Sequence, residues 1–257
     1  MKQSDESAFK VPLFSIITVC FNAGSTIQPT IESVDAQTCR LYEHIIVDGA
    51  SKDDTLAIAA AHPNPLRRVV SEPDHGIYDA MNKGLGMAVG EYVIFLNAGD
   101  SFHSGDVLQK LADAAMNHDV PGVIYGQTDL VDDSRQRLGE RHLRAPEVLT
   151  YRSFAQGMLV CHQAFVALRR ITAPFDLRYR FSADYDWCIR CLQHSRHNHY
   201  IDTVLVDYLS EGATTANHRR SLMERFRIMS HYYGFWPTLA RHITFIPRYL
   251  KFKTRCL

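Results

Sequence analysis

The chain has 257 residues, 46% hydrophobic and 22% charged, enough to bury a sizeable core and ordinary for a soluble globular protein. Its 28 basic and 28 acidic residues cancel, so no global charge points to nucleic acid. The first ten residues lack the apolar core of a signal peptide, no run approaches the ~18 apolar residues of a spanning helix, and six scattered cysteines fit free thiols in a reducing cytoplasm.

Residues 1–11 read as a loose leader. Phe14 to Phe21 is a buried, partly β-branched strand that stops at Asn22-Ala23-Gly24-Ser25. A helix follows, capped by Ser25 or Thr26, with Ile27, Ile31 and Val34 on one face. His44 to Asp48 is a second strand, ended by Gly49-Ala50-Ser51; Asp53 or Asp54 then caps a helix that breaks at Pro63-Asn64-Pro65. Leu66 to Val70 is a short third strand, Tyr78 to Met87 a helix and Tyr92 to Leu96 a fourth strand. Beyond it, Asn97-Ala98-Gly99-Asp100 sets one carboxylate just past a flexible turn. Such an acid suits a metal held near a phosphate, and equally the cap of the next helix.

In the second half, Ser104-Gly105-Asp106 opens a helix through Val107, Leu108, Leu111 and Ala115, and Val123 to Leu130 is a strand. Asp132 to Arg144 is a polar surface loop or hairpin. Gln156 to Val160 leads through Cys161-His162-Gln163 into an amphipathic segment ending at Arg169-Arg170. Ser182-Ala183-Asp184-Tyr185-Asp186 opens a helix through Ile189 and Leu192; Val204 to Leu209 is a last strand, and Glu211 to Thr215 a polar loop able to close over a site. From Ser221 the chain reads as helical and basic. From Gly212 on it carries nine Lys/Arg and one acid, Glu224, against 19 basic and 27 acidic residues before that point.

Strands alternating with helices at this spacing predict an α/β domain with a mostly parallel sheet covered on both faces. Asn22, Asp48 and Asp100 stand at strand ends, which converge on one rim, the ligand-binding edge of such sheets. No G-x-G-x-x-G follows the first strand and no P-loop is present, so phosphate here needs a metal and isolated donors.

Three stretches together resemble a known family: Ser15 to Val19, Ile46 to Thr55, and Ser71-Glu72-Pro73-Asp74-His75-Gly76-Ile77-Tyr78-Asp79-Ala80-Met81-Asn82-Lys83-Gly84. They resemble the family 2 glycosyltransferases of the GT-A fold, and Tyr92 to Asp100 resembles their metal-binding DxD segment. The bacterial exopolysaccharide enzymes of the colanic-acid type are the nearest likeness, sharing the Glu-Pro-Asp stretch, the His162-Gln163 pair and Gly234-Phe235-Trp236. The resemblance spans roughly residues 12–240.

The resemblance implies a GT-A domain over 12–212, with a nucleotide-binding half to about 100 and an acceptor half from about 101 to 212. A basic helical extension, 213–257, follows. It implies transfer of a sugar from a nucleotide-sugar donor to an acceptor hydroxyl, with Mn²⁺ or Mg²⁺ offsetting charge on the departing diphosphate. Asp100 takes the metal role, although Ala98 stands where the family usually has a second acid. Asp48 resembles the acid that recognises the base, with Thr18, Phe21 and Asn22 lining the same pocket; Asn97, Asp79 and Lys83 fall on the donor side. A turn-forming Asp48 and a solvated Lys83 are the plain alternatives.

An inverting transfer needs one carboxylate to take the acceptor's proton. The family motif falls on Asp184, with Asp186 as the competitor on another helix face, and Asp184 also stands where a helix cap would. His162 resembles an acceptor-side histidine, or serves structure alone. The implied acceptor is a lipid-linked oligosaccharide, which places the protein in the cytoplasm or on the inner face of the plasma membrane.

Cys188 and Cys191 with His194, His197 and His199 spell a zinc cluster, but the cysteines also fit one buried helix face. From Phe235 on, the basic, aromatic-rich tail fits an anionic membrane surface, a face of the protein itself or a homodimer contact. A nucleotidyltransferase, or a non-catalytic sugar-nucleotide-binding partner of a polysaccharide assembly complex, are the competing functions. The first lacks its basic glycine-rich loop after the first strand.

Overall fold

The computed structural model describes residues 11–116, 119–210 and 218–243. The first ten residues, the Glu211–Thr215 loop and the tail beyond 243 lie outside the described residues. The elements run β1 (Phe14–Cys20), α1 (Ile27–Asp35), β2 (Tyr42–Asp48), α2 (Thr55–Ala61), β3 (Arg67–Ser71), α3 (Ile77–Met87), β4 (Tyr92–Phe95), β5 (Ser101–Phe102) and α4 (Val107–Ala115). The second half continues with β6 (Val123–Val131), β7 (Arg137–Glu140), β8 (Phe165–Leu168), α5 (Ala183–His194), β9 (Asn198–Leu209) and α6 (His218–Tyr233).

One sheet carries all nine strands, in the order β3-β2-β1-β4-β8-β6-β9-β5, with β7 paired to β6. The first four strands are parallel, as expected from the alternating pattern. β1 and β4 are buried at every position and carry only apolar or small polar residues, the mark of strands covered on both faces. The second half is mixed: β8 enters antiparallel between β4 and β6, while β6 and β9 run parallel. β8 is where the sequence pattern read only as an amphipathic segment. Four apolar residues are too few for periodicity to separate strand from helix.

Alternation along the strands divides the core into two layers. Ile17, Val19, Ile45, Val47, Val93 and Phe95 face one side, under α3 and α5. Phe14, Ile16, Tyr92 and Ile94 face the other, under α4. At Gly84, inside α3, a Cβ would fall 2.4 Å from Ile17 Cγ2; the glycine lets α3 settle directly on β1. Trp187 of α5 is fully buried, stacked on Phe175 at 5.1 Å and edge-on to Phe95 at 5.5 Å. Ile228 and Met229 of α6 join this layer, so α6 docks on the sheet domain through its apolar face. Among the described residues no helix is long and apolar enough to cross a membrane.

β1 pairs with β2 on one side and β4 on the other. The chain order therefore reverses at β1, and the loops after β1 and β4 part there. That is the crevice in which open α/β sheets bind ligands.

Candidate active site

Two loops build the first wall, at the ends of β1 and β2. Asn22 adopts a left-handed backbone (φ 47°), a conformation that asparagine tolerates. Its N–H donates to Ser51 Oγ (2.8 Å) and its Oδ1 accepts from the Lys52 N–H (2.9 Å). The Ala23 and Gly24 N–H groups reach Thr55 Oγ1 and Asp53 Oδ2, each at 2.8 Å, so the loops are zipped together. Asn22 thus frames the pocket, with its side-chain oxygen engaged by the partner loop.

Asp48 forms the floor, fully buried at the end of β2. It accepts the Ser51 N–H (2.9 Å), both the Ser51 and Ser71 hydroxyls (the latter at 2.6 Å), and the Cys20 thiol (3.6 Å). Burial pushes its carboxyl up, but the hydroxyls and the N–H outweigh that and hold it below the usual carboxylate range. Phe21 is 63% exposed above it. A Cβ on Gly49 would lie 3.3 Å from the Phe21 ring and 2.5 Å from Asp74 Oδ2, so only glycine lets the ring and the carboxylate pack this closely on the loop after β2. Thr18 lies inside the sheet instead, its hydroxyl 3.0 Å from His44 Nε2. Arg67 holds the other ring nitrogen of His44 at 3.0 Å, and burial with that cation lowers the imidazole to about 3.

The segment before α3 is braced by side chains singled out for the donor. Lys83 Nζ donates to the Pro73 carbonyl (2.7 Å) and pairs with Glu72 (2.9 Å), and Asp79 accepts the His75 N–H (3.0 Å). Both shape the segment.

The second wall is the turn after β4. Asp100, 4% exposed, accepts Gln163 Nε2 at 2.7 Å on one oxygen and the Leu209 N–H at 3.1 Å on the other. The Thr30 hydroxyl takes the Asp100 carbonyl at 2.7 Å, and Arg135 grips the Gly99 carbonyl at 2.6 Å, fixing the turn. Burial pushes the Asp100 carboxyl up to about 6, against the pull of Gln163, Leu209, His162 and Arg135. Asp48 ends β2 and Asp100 stands in the turn that follows β4, the two strands that flank β1.

The third wall comes from α5. Asp184 Oδ1 accepts the Tyr78 hydroxyl at 2.9 Å, and Oδ2 faces His162 Nδ1 at 3.3 Å. Burial raises its carboxyl, but the His162 bond and charge, the Arg225 charge and the Tyr78 hydroxyl outweigh it and hold the group low. Asp186 faces away, bound by Arg190 (2.7 Å) and the Tyr232 hydroxyl (2.8 Å). The cap position belongs to Ser182, which frees Asp184 from that duty.

Consecutive residues therefore join the two acids: His162 holds Asp184 and Gln163 holds Asp100. His162 Nε2 lies 3.3 Å from Asn97 Nδ2, so a ring that donates from Nδ1 accepts there from the amide. Asn97 Oδ1 is buried without a hydrogen-bond partner. Tyr78 and Arg135 were not marked as single residues by the sequence pattern. Tyr78 lay inside a recognised stretch, and Arg135, in a polar hairpin, gave no signal.

Whether a divalent cation fits can be judged from these donors. Asp100 has lone pairs left beyond its two hydrogen bonds, and Asn97 Oδ1 is an orphaned hard oxygen in the same turn; both suit Mg²⁺ or Mn²⁺. Ala98 adds no ligand. A separate group, His103, Asp129 and Asp207, has ligand atoms within 4.8 Å of one another on β6, β9 and the turn after β5. There Arg137 already holds Asp129 through two nitrogens and His103 Nδ1 sits 2.7 Å from Asp207, so the charges are internally matched. Cys188 and Cys191 are buried in the core, where burial drives both thiols up, away from the thiolate that zinc needs.

Comparison with known proteins places this geometry. Residues 15–172 match the family model described as glycosyl transferase family 2. A PGL/p-HBAD biosynthesis glycosyltransferase of Mycobacterium tuberculosis is 33% identical over 208 residues, 78% of each chain. The amylovoran biosynthesis glycosyltransferase AmsB of Erwinia amylovora is 28% identical over 192 residues, 69% of this chain and 63% of the relative. Among solved structures, S. aureus TarS 1-349 superposes with a TM-score of 0.70 at 18% identity, over 90% of this chain and 72% of that one. The mannosyltransferase PcManGT from Pyrobaculum calidifontis, solved with GDP-Man and Mn²⁺, gives 0.61 at 17% identity, over 91% and 74%. The shared architecture is the GT-A fold expected from the sequence.

Proposed function

The chain belongs to glycosyltransferase family 2, and we propose that it transfers a sugar from a nucleotide-sugar donor to an acceptor hydroxyl with inversion at the anomeric carbon. One observation carries this reading. Two buried carboxylates, each fixed by its own donors, stand on one rim and are joined through adjacent residues, His162 to Asp184 and Gln163 to Asp100.

The nucleotide base lies against the exposed Phe21 ring, with Asp48 and its serine partners as the floor. The diphosphate extends along the rim towards Asn97 and Asp100. Asp100, with the Asn97 oxygen, would hold a Mn²⁺ or Mg²⁺, which when bound offsets the charge that the leaving diphosphate gains. Asp184, held ionised, accepts the proton of the acceptor hydroxyl as its oxygen attacks and the bond to the diphosphate breaks. Tyr78 and His162 fix both carboxylate oxygens by one bond each, so each keeps a lone pair for that proton. His162 is thus a positioning residue on the acceptor side.

The catalytic unit is taken as 12–212, divided near residue 100, with the extension from 213 docked through α6. The acceptor class is a lipid-linked oligosaccharide of exopolysaccharide assembly, of the colanic-acid type. The likeness to an amylovoran biosynthesis glycosyltransferase supports polysaccharide assembly, and the exterior of the extension supports an acceptor at a membrane. Leu222, Met223, Phe235, Trp236 and Ile243 are all more than 40% exposed among exposed arginines 219, 220 and 227, a mixture suited to an anionic membrane surface. A thermal-shift screen of UDP, GDP and their sugar conjugates, with and without Mn²⁺, tests the reading. It predicts stabilisation by one nucleoside diphosphate that Mn²⁺ enhances, and no shift from any of them would overturn it.

A further inference from the structure

The inner face of α6 is set by helical spacing: Ser221, Arg225, Ile228, Met229 and Tyr232 fall on one side. Its ends are pinned to the start of α5. Ser221 Oγ lies 3.0 Å from Ser182 Oγ, and the Tyr232 hydroxyl reaches Asp186. Glu224 adds bonds from the Arg180 and Phe181 N–H groups at 2.9 and 2.8 Å. Arg225, one turn beyond Ser221, is therefore directed at the turn that carries Asp184.

Among the described residues no carboxylate lies within ion-pair distance of Arg225. Glu224 is committed to those backbone groups, Asp186 to Arg190 and Tyr232, and Asp184 to His162 and Tyr78. Arg225 Nε is buried without a hydrogen-bond partner. A buried, unmatched donor on a cation is costly, and a bound anion is one partner that offsets that cost. A planar guanidinium fork suits a carboxylate or a phosphate. The positive charge of Arg225 is felt at Asp184 and Tyr78, whereas the arginine felt at Asp100 is Arg135. Arg225 therefore serves the side of Asp184, away from the diphosphate.

We propose that Arg225 recognises an anionic group of the acceptor, a carboxylate or a phosphate, bound beside Asp184. This rests on the reading of Asp184 as the acceptor-side acid. It makes the enzyme selective for acidic acceptors.

The test is calorimetric titration of the full chain with methyl glucuronide, glucose 6-phosphate and neutral methyl glucoside, and separately with UDP and GDP in Mn²⁺. The acidic sugars are expected to bind about tenfold tighter than the neutral one. Arg225→Gln should abolish that preference while leaving nucleoside diphosphate affinity within about twofold, and Arg196→Gln, at an exposed position after α5, should change neither. Binding of one acidic sugar alone identifies the anion. Should the glutamine variant not fold, Arg225→Lys, which keeps charge but loses the fork, is expected to weaken the preference. Equal binding of acidic and neutral sugars by the unmodified chain overturns the proposal, as does a preference that survives at position 225. Loss of UDP or GDP affinity in Arg225→Gln assigns the residue to the donor and also overturns it. A chain that binds neither UDP nor GDP refutes the glycosyltransferase site instead, and an acid preference removed by Arg225→Gln would still stand.

Discussion

His162 Nδ1 lies 3.3 Å from Asp184 Oδ2, and the next residue, Gln163, donates to Asp100 at 2.7 Å. A short 3-10 turn at His162–Ala164 thus links the two carboxylates, Asp184 and Asp100. His162→Ala is predicted to lower kcat by roughly 10- to 100-fold with little change in donor affinity. The histidine helps to hold the Asp184 carboxyl low. Without it the folded-state carboxyl rises, so the acid limb of the kcat profile should move to higher pH. A kcat–pH series on both proteins checks the direction.

Asp100 carries a second pH signature. Burial lifts its folded-state carboxyl to about 6, above the ordinary range near 4 that applies when unfolded. Between those values the folded protein holds a proton that the unfolded chain has lost. Stability from this group is therefore present at low pH and falls as pH rises through about 4 to 6, by at most some 3 kcal/mol. A cation competes with that proton, so the Tm gain from Mn²⁺ should be larger at pH 7.5 than at pH 5. Asp100→Asn should remove both the slope and the Mn²⁺ gain, as followed by thermal melts across pH.

Asp186 and Asp184, two residues apart, should fail in different ways. Asp186→Asn disturbs the pair with Arg190 inside α5 and the bond from Tyr232 that fastens α5 to α6. It should cost about 2 kcal/mol of stability, with residual activity in the folded fraction. Urea unfolding and specific activity separate this from a loss of chemistry.

Phe21→Ala should leave stability nearly unchanged, because the ring is 63% exposed. Nucleoside diphosphate affinity should fall about tenfold, the worth of one stacked base. Calorimetry on the variant reads both.

Much of this was legible in the sequence because the relevant signals are local. The apolar runs of β1, β2 and β4 end at Asn22, Asp48 and Asn97, which locates the rim before any coordinates do. Partnership was less legible. Thr18 lies within β1, two residues short of its end, and its hydroxyl meets His44, a contact 26 residues away. Lys83 and Asp79 have the chemistry of phosphate contacts, but the fold directs them to Pro73, Glu72 and His75. The choice between Asp184 and Asp186 depended on Tyr78 and Tyr232, which approach from 106 and 46 residues away. Such pairings arise from strand order, and β8, the strand that brings His162 to the rim, was too short to announce itself.

The central claim is that Asp184 takes the acceptor's proton while Asp100 serves the donor. Calorimetry with the preferred sugar nucleotide, paired with single-turnover transfer by Asp184→Asn, tests it most directly. The account predicts donor affinity within about twofold of the unmodified chain and transfer reduced at least about 10³-fold. Transfer within a few-fold of the unmodified chain would contradict it.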